Sequence, residues 1–292
     1  MAGTVYRDYT QDQLDWWYNA RGRCKNVEKL KYEQETGSAN CRNKYRCDLN
    51  ISLGETPREA IDIYFPEGAG PFPVHIFFHG GYWKSNDKES SAYVANALVP
   101  YGVITVIAEY TLIPNIRMEE LLRQCRQVVA WVWTNAAKIG GRQDQITISG
   151  HSAGGHITAS MLATDWPKYD ANIPVTPFKA AVATSGLYDL KPVQLSSQNA
   201  ELNLTNQEVE NFSPVSQQPL SNTPVWMPVG GDEGPEFIRQ TQEMAAIWSS
   251  KGANIRASIE EGHDHFTIMN QHLDPDCDFA KRFREHLGVV PG

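Results

Sequence analysis

The chain has 292 residues, of which 41% are hydrophobic and 21% charged, enough to bury a sizeable core in one large α/β domain or two smaller ones. A formal net charge of -8 argues against a general affinity for nucleic acid or for an anionic membrane. No run of about 18 apolar residues occurs, so no spanning helix is expected. The first 25 residues lack the basic start and apolar run of a secretion signal. Cys24, Cys41, Cys47, Cys125 and Cys277 are an odd set whose spacings match no zinc pattern. Free thiols in a reducing cytoplasm are therefore expected, a Cys41–Cys47 bridge being the alternative.

Residues 1–47 differ from the rest. Trp16, Trp17 and Tyr18 mix with acids at helical spacing, and a Lys/Arg/Cys-rich segment follows. This arm is too short for its own core and is expected to pack on the main domain, residues 48–292. The alternating segments 48–53 and 60–65 read as antiparallel strands joined through a turn at Pro57. Val74 to Phe78 is a continuous apolar run, as in a strand buried on both faces, and it ends in His79-Gly80-Gly81-Tyr82-Trp83. The pattern then predicts a helix over 91–98, a buried strand over 103–108 and a helix over 118–139.

Ile146 and Ile148 mark the next strand, which runs into Gly150-His151-Ser152-Ala153-Gly154 and then an apolar helix. Strand, tight turn and helix with a serine at the apex form a nucleophile elbow. The chemistry needs glycines two residues either side of Ser152. The turn is strained, and a side chain at 150 or 154 would strike the neighbouring strand or helix. The following helix supplies free N–H groups and the positive end of its dipole.

Beyond the elbow, the strand 180–184 precedes a polar, proline-bearing stretch, 191–222, which reads as a lid-like insertion. A strand over 225–229 ends in Gly230-Gly231-Asp232-Glu233. A helix over 235–250, a strand over 255–259, the loop 260–265 and a helix over 279–287 complete the chain. Strands alternating with helices imply a mostly parallel sheet wound by right-handed crossovers. In such a sheet reactive groups sit at the carboxyl ends of strands. Four segments put polar groups there: 79–83, Ser152, Asp232, and the loop with His263, Asp264 and His265. The order nucleophile, acid, histidine is that of an α/β-hydrolase.

His-Gly-Gly-Tyr-Trp at 79–83, Gly-His-Ser-Ala-Gly-Gly-His at 150–156 and Asp-His-Phe at 264–266 resemble the arylformamidase (kynurenine formamidase) branch of the α/β-hydrolases, near the hormone-sensitive-lipase-like esterases. Tyr18-Asn19-Ala20-Arg21 and Gly230-Gly231-Asp232-Glu233 add to the likeness, which runs over residues 14–287. The chain departs from the family pattern in 22–47 and 191–222. The resemblance implies the α/β-hydrolase fold, a serine nucleophile and no cofactor.

In that scheme Ser152 attacks a carbonyl after passing its proton to a histidine. Spacing alone does not separate His263 from His265; the family pattern, with the base directly before Phe266, selects His265. Asp232 is expected to orient the imidazole, with Glu233 a solvated or supporting neighbour and Asp264 too close in sequence to the histidine. Asp189 reads as structural. Backbone N–H groups of Gly81, Tyr82 and Ala153 are the oxyanion-hole candidates. Tyr82, Trp83 and His151 are candidate pocket residues, though core packing would equally explain the two aromatics. His79 is expected to anchor its loop, His151 and His156 to brace the elbow, His75 to lie within a strand, and His272 and His286 to lie at the surface.

No metal is expected, since the histidines lack a His-Glu-x-x-His spacing, and no dinucleotide fingerprint follows Gly80-Gly81. The expected reaction is cleavage of a small-molecule ester or amide, aryl-formamide-like, through an acyl-enzyme. A general carboxylesterase, a carbamate hydrolase and a non-catalytic ligand-binding homologue are the competing readings, and a homodimer is compatible with the sequence.

Overall fold

A computed structural model describes residues 3–289. Its centre is an eight-stranded sheet in the order β1-β2-β4-β3-β5-β6-β7-β8. The strands are β1 (Arg46–Ser52), β2 (Ala60–Phe65), β3 (Phe72–Phe78), β4 (Ile104–Ala108), β5 (Gly141–His151), β6 (Ala181–Thr184), β7 (Val225–Gly230) and β8 (Ile255–Glu260). β1 and β2 are antiparallel to their neighbours, and all pairs from β4 to β8 are parallel. This is the α/β-hydrolase architecture. Every residue of β2, β4 and β7 is buried, the alternating β2 with its Asp62 included.

The chain passes from β3 to β4 on one side and then to β5 on the other, so the strand order reverses at β3. The crevice beyond the carboxyl ends of β3 and β5 is where such a sheet takes its ligand. Register sharpens the point. Phe78 pairs with Gly150, which brings the loop after β3 against the turn that carries Ser152. The same register sets His75 beside Thr147 and between strands, where its ring nitrogens meet Thr147 Oγ1 at 2.8 Å and Ser149 Oγ at 2.7 Å. Burial pushes this imidazole down to about 3, so it sits in the core as a neutral, fully bonded group.

Three local expectations need correction. Instead of a regular helix over 91–98, the chain forms a short helix, Lys88–Ser91, and a 3-10 helix, Ala92–Ala97. The arm helix Val27–Lys44 lies across this segment: the Ser38 hydroxyl donates to the Ser90 carbonyl and accepts from the Tyr93 N–H. Tertiary bonding here outweighs helical periodicity. His272 is buried rather than at the surface, with the rings of Phe279 and Phe283 edge-on to it, because the amphipathic helix Asp278–His286 turns those phenylalanines inward. His286 is half-buried, its Nε2 at 3.0 Å from the Ala181 carbonyl. All five cysteines are free thiols, Cys41 and Cys47 included.

The loop after β3 is tied to the end of β4 by one buried carboxylate. Glu109 accepts hydrogen bonds from His79 Nε2 (3.0 Å), Arg58 Nη2 (2.7 Å) and the N–H groups of Lys88 (3.0 Å) and Tyr110 (3.0 Å). Burial alone would raise its pKa, but the bonds from His79, Arg58 and Lys88 outweigh burial and hold it below the ordinary carboxylate value. A depressed folded-state value contributes stability above the unfolded pKa, and that contribution is lost as pH falls through the folded one. Glu109→Gln should therefore destabilise the protein by about 3 kcal/mol at pH 7. Urea unfolding at a series of pH values should show the gap to wild type closing below about pH 4.

Candidate active site

Ser152 sits between β5 and the helix Ala153–Leu162 with φ 56° and ψ -118°, in left-handed backbone that a non-glycine residue adopts only under constraint. The flanking glycines supply that constraint. A Cβ on Gly154 would lie 1.9 Å from the Phe78 carbonyl oxygen, and one on Gly150 would lie 2.1 Å from the Gly154 oxygen. β3, β5 and the helix thus pack at distances only glycine permits, as the pattern predicted. His156 braces this packing, bonded to the Trp83 indole N–H (3.2 Å) and the Phe212 carbonyl (2.8 Å).

His265 lies in the loop after β8, where Asp264 Oδ1 accepts the Phe266 and Thr267 N–H groups at 2.9 and 2.8 Å and so shapes the turn. The imidazole Nδ1 is 2.5 Å from Glu233 Oε2. The other oxygen of Glu233 accepts the Gly230 N–H at 2.7 Å and the Ser185 hydroxyl. The carboxylate partner of His265 is therefore Glu233 and not Asp232. β7 ends at Gly230, and the 3-10 turn Gly231–Glu233 directs its third residue inward, leaving Asp232 exposed. Only the main chain of Asp232 is engaged, through its N–H to the His263 carbonyl (3.0 Å) and its carbonyl to Arg23 Nη2 (3.1 Å). The sequence does carry a signal for this: Gly-x-x-Glu ahead of Pro235 has the spacing by which a residue folds back onto a cap N–H. Ser185 was also missed, although a polar residue at the end of β6 is where such a sheet places site groups.

The loop after β3 holds three consecutive residues with positive φ: Gly81 (109°), Tyr82 (49°) and Trp83 (57°). The Lys84 and Ser85 N–H groups close it on the Gly81 carbonyl, each at 3.0 Å. Gly80 rests on the elbow; a Cβ there would be 3.0 Å from Ser152 Cβ and 2.8 Å from the His151 oxygen. The N–H groups of Gly81, Tyr82 and Ala153 have no acceptor among the described residues. Tyr82 reaches the cavity and donates its hydroxyl to the Tyr18 carbonyl at 2.8 Å. Trp83 does not line the cavity; its fully buried indole packs on His156, so of the two readings core packing holds for it. His79 anchors its loop, bonded to Glu109 and stacked on Tyr110.

One cavity of about 450 Å³ is lined by Ser152, His265, His151, Tyr82 and Phe266 on the sheet side. Its roof comes from Lys31, Gln34 and Glu35 of the arm and from Gln198 and Glu201 of the 191–222 segment. The His265 ring is packed by Phe237 at 4.6 Å and His151 at 4.4 Å between centroids. Burial first, and then His265, drives the His151 pKa well below its ordinary value, so His151 is neutral. His263 does not line the cavity, and Asp189 caps a helix and accepts the Tyr6 hydroxyl at 2.7 Å, away from the reacting groups. Among the described residues no group of three His, Cys, Asp or Glu side chains is arranged to hold a metal ion.

A strained serine, a carboxylate-bound imidazole lining the same cavity and main-chain N–H groups without an acceptor at Gly81, Tyr82 and Ala153 are the parts of a hydrolase site. The BD-FAE family matches residues 61–225. A kynurenine formamidase of Salmo salar is 32% identical over 260 residues, covering 86% of this chain and 86% of its own length. The chain belongs to the arylformamidase-like α/β-hydrolases. The kynurenine formamidase of Danio rerio is 30% identical over 260 residues, covering 87% of this chain and 86% of that protein. A solved Silicibacter sp. structure assigned as a thioesterase superimposes with a TM-score of 0.79 at 29% identity, covering 92% of this chain and 98% of the other. This arylformamidase-like chain is a hydrolase. Segments 22–47 and 191–222 both contribute residues to the cavity lining.

The two neighbouring acids are separable by substitution. Glu233→Gln should lower kcat by about 10³–10⁴, because an amide can hold the ring but not balance an imidazolium. Asp232→Asn should stay within about threefold of wild type, since its side chain is exposed. Steady-state kinetics of the two purified variants decides between them.

Proposed function

We propose that this enzyme hydrolyses a small aryl formamide through an acyl-enzyme, with Ser152 as nucleophile, His265 as general base and acid, and Glu233 as the group that orients and balances the imidazole. The observation that carries the reading is the 2.5 Å bond from His265 Nδ1 to a fully buried Glu233, on a ring that shares one cavity with Ser152. With its Nδ1 proton directed at Glu233, the neutral ring keeps a lone pair on Nε2 for the serine proton.

The steps follow from that arrangement. Ser152 Oγ gives its proton to Nε2 and bonds to the formyl carbon, and the carbonyl oxygen becomes an oxyanion. The N–H groups of Gly81, Tyr82 and Ala153 meet that charge, each such donor being worth about 3–4 kcal/mol in the transition state. The imidazolium then protonates the leaving aryl amine as the carbon–nitrogen bond breaks. Water, deprotonated by the same ring, attacks the formyl ester and releases formate with Ser152 restored. An aryl ester needs no proton on its leaving group, so an amide substrate makes the greater demand on His265.

The substrate assignment is supported by the fish relatives named kynurenine formamidases and by the size of the cavity, about 450 Å³, which suits one aromatic ring with a short substituent. A net charge of -8 and five free thiols support a small-molecule substrate in a reducing cytoplasm rather than a nucleic acid. No helix of the described residues is long and apolar enough to cross a membrane.

Turnover of N-formyl aryl amides, aryl carbamates, anilides and p-nitrophenyl acetate should be compared in wild type and Ser152→Ala. The formamides should exceed the acetate in kcat/KM by about tenfold or more, a transition-state preference of roughly 1.4 kcal/mol. Ser152→Ala should abolish both turnover and labelling by a fluorophosphonate. A formamide rate no better than the ester rate would sink the substrate assignment, and labelling that survives in Ser152→Ala would sink the nucleophile.

A further inference from the structure

Arg23 belongs to the arm, at the end of the short helix Ala20–Arg23, yet it reaches the turn that carries Glu233. Its Nη1 donates to the Trp17 carbonyl and its Nη2 to the Asp232 carbonyl, both at 3.1 Å. The guanidinium carbon lies 4.9 Å from the centroid of the Trp17 ring. Gly234 completes the contact. It has a φ of 84°, and a Cβ on it would fall 2.6 Å from Trp17 Cζ3 and 2.8 Å from Arg23 Nη2. Trp17 and Arg23 thus pack directly against Gly234 of the 231–234 turn. Among the described residues, no carboxylate approaches Arg23 within 4.0 Å, so its charge has no contact partner there.

We propose that Arg23 is a positioning residue for the hydrolysis: its bond to the Asp232 carbonyl fixes the turn that presents Glu233, and its unpaired charge opposes protonation of His265. The second half rests on the triad reading above. The titratable groups near the guanidinium are Glu233 on the turn, Asp264 on the loop after β8 and Tyr82 on the loop after β3, and those against the His265 ring are Glu233 and His151. Burial lowers the Arg23 pKa, and the nearby Glu233, Tyr82 and Asp264 raise it, which puts this cation in electrical contact with the triad carboxylate. A positive charge there favours ionised Glu233 and disfavours a second positive charge on the ring. The base then stays free at lower pH.

The test is the pH profile of kcat/KM on p-nitrophenyl acetate, whose acid limb reports the base form because the leaving group needs no proton. Arg23→Gln removes the charge and keeps one donor; Arg23→Lys keeps the charge and loses the two-pronged geometry. The acid limb of Arg23→Gln should move to higher pH by about half a unit, while that of Arg23→Lys stays at the wild-type position. Both variants should lose kcat several-fold with KM nearly unchanged. If Arg23→Gln fails to fold, Arg23→Lys still tests the turn through its several-fold loss of kcat at nearly unchanged KM. An unmoved limb in Arg23→Gln, equal movement in both variants, or an unchanged kcat in both would overturn the proposal. Absent turnover in wild type would instead overturn the hydrolase reading itself.

Discussion

The site depends on one buried bond, that from His265 Nδ1 to Glu233 Oε2. A carboxylate taken out of water is costly unless its lone pairs are filled and a counter-charge is near. Glu233 meets the first requirement with the Gly230 N–H, the Ser185 hydroxyl and His265. These donors come from the ends of β7, β6 and β8, so the carboxylate also ties three neighbouring strands together at their carboxyl edge. In the proposed mechanism a counter-charge in direct contact forms as His265 accepts the serine proton, nearer than the Arg23 guanidinium, which bonds the Asp232 carbonyl of the same turn. The ring is then most stabilised at the moment the serine loses its own proton, which is the condition for lowering the barrier rather than merely binding substrate.

How far this was legible in the sequence follows from the range over which each feature is decided. The elbow is decided within seven residues, because the close approaches at Gly150 and Gly154 exclude all other side chains. The buried strands are decided by composition along a few residues each. The choice between Asp232 and Glu233 is different in kind. It turns on which residue of a three-residue 3-10 turn faces the sheet, and that is set by β7 ending at Gly230. Local spacing contained the hint, but the expectation of an acid directly after the glycines obscured it. Trp83 illustrates the same limit, since neither aromatic at 82–83 announces which ring the left-handed turn will point inward. His272 does too: its burial is imposed by phenylalanines of the C-terminal helix, which its own neighbours in sequence do not reveal.

The arm was the least legible element, and it carries the most consequence for substrate. Its aromatic residues stand at helical spacing, but spacing does not say which segments they meet, and much of the arm's surface faces other segments rather than one core stripe. In the fold the Tyr18 carbonyl accepts from Tyr82 Oη and from Gln198 Nε2 at 2.8 and 3.2 Å, joining the arm, the oxyanion loop and the 191–222 segment at a single atom. Lys84 and Glu201, at 2.7 Å, join the same loop to the same segment a second time. Whatever enters the cavity therefore meets two surrounding segments that are both fastened to the loop carrying Gly81 and Tyr82.

That connection separates the parts of the site built on the sheet from those built on the surrounding segments. The sheet, the elbow and the Glu233–His265 bond are fixed by packing that tolerates little change, so they define a reaction class. Lys31, Gln34, Glu35, Gln198 and Glu201 face the cavity from segments outside the sheet, where substitution disturbs no strand. Substrate choice can drift through these residues while the chemistry stays constant. Because Tyr82 and Lys84 bond directly to the same segments, a change in the roof also reaches the oxyanion loop. Selection for a new substrate would then act on rate and on binding together, and the roof cannot be treated as a passive funnel.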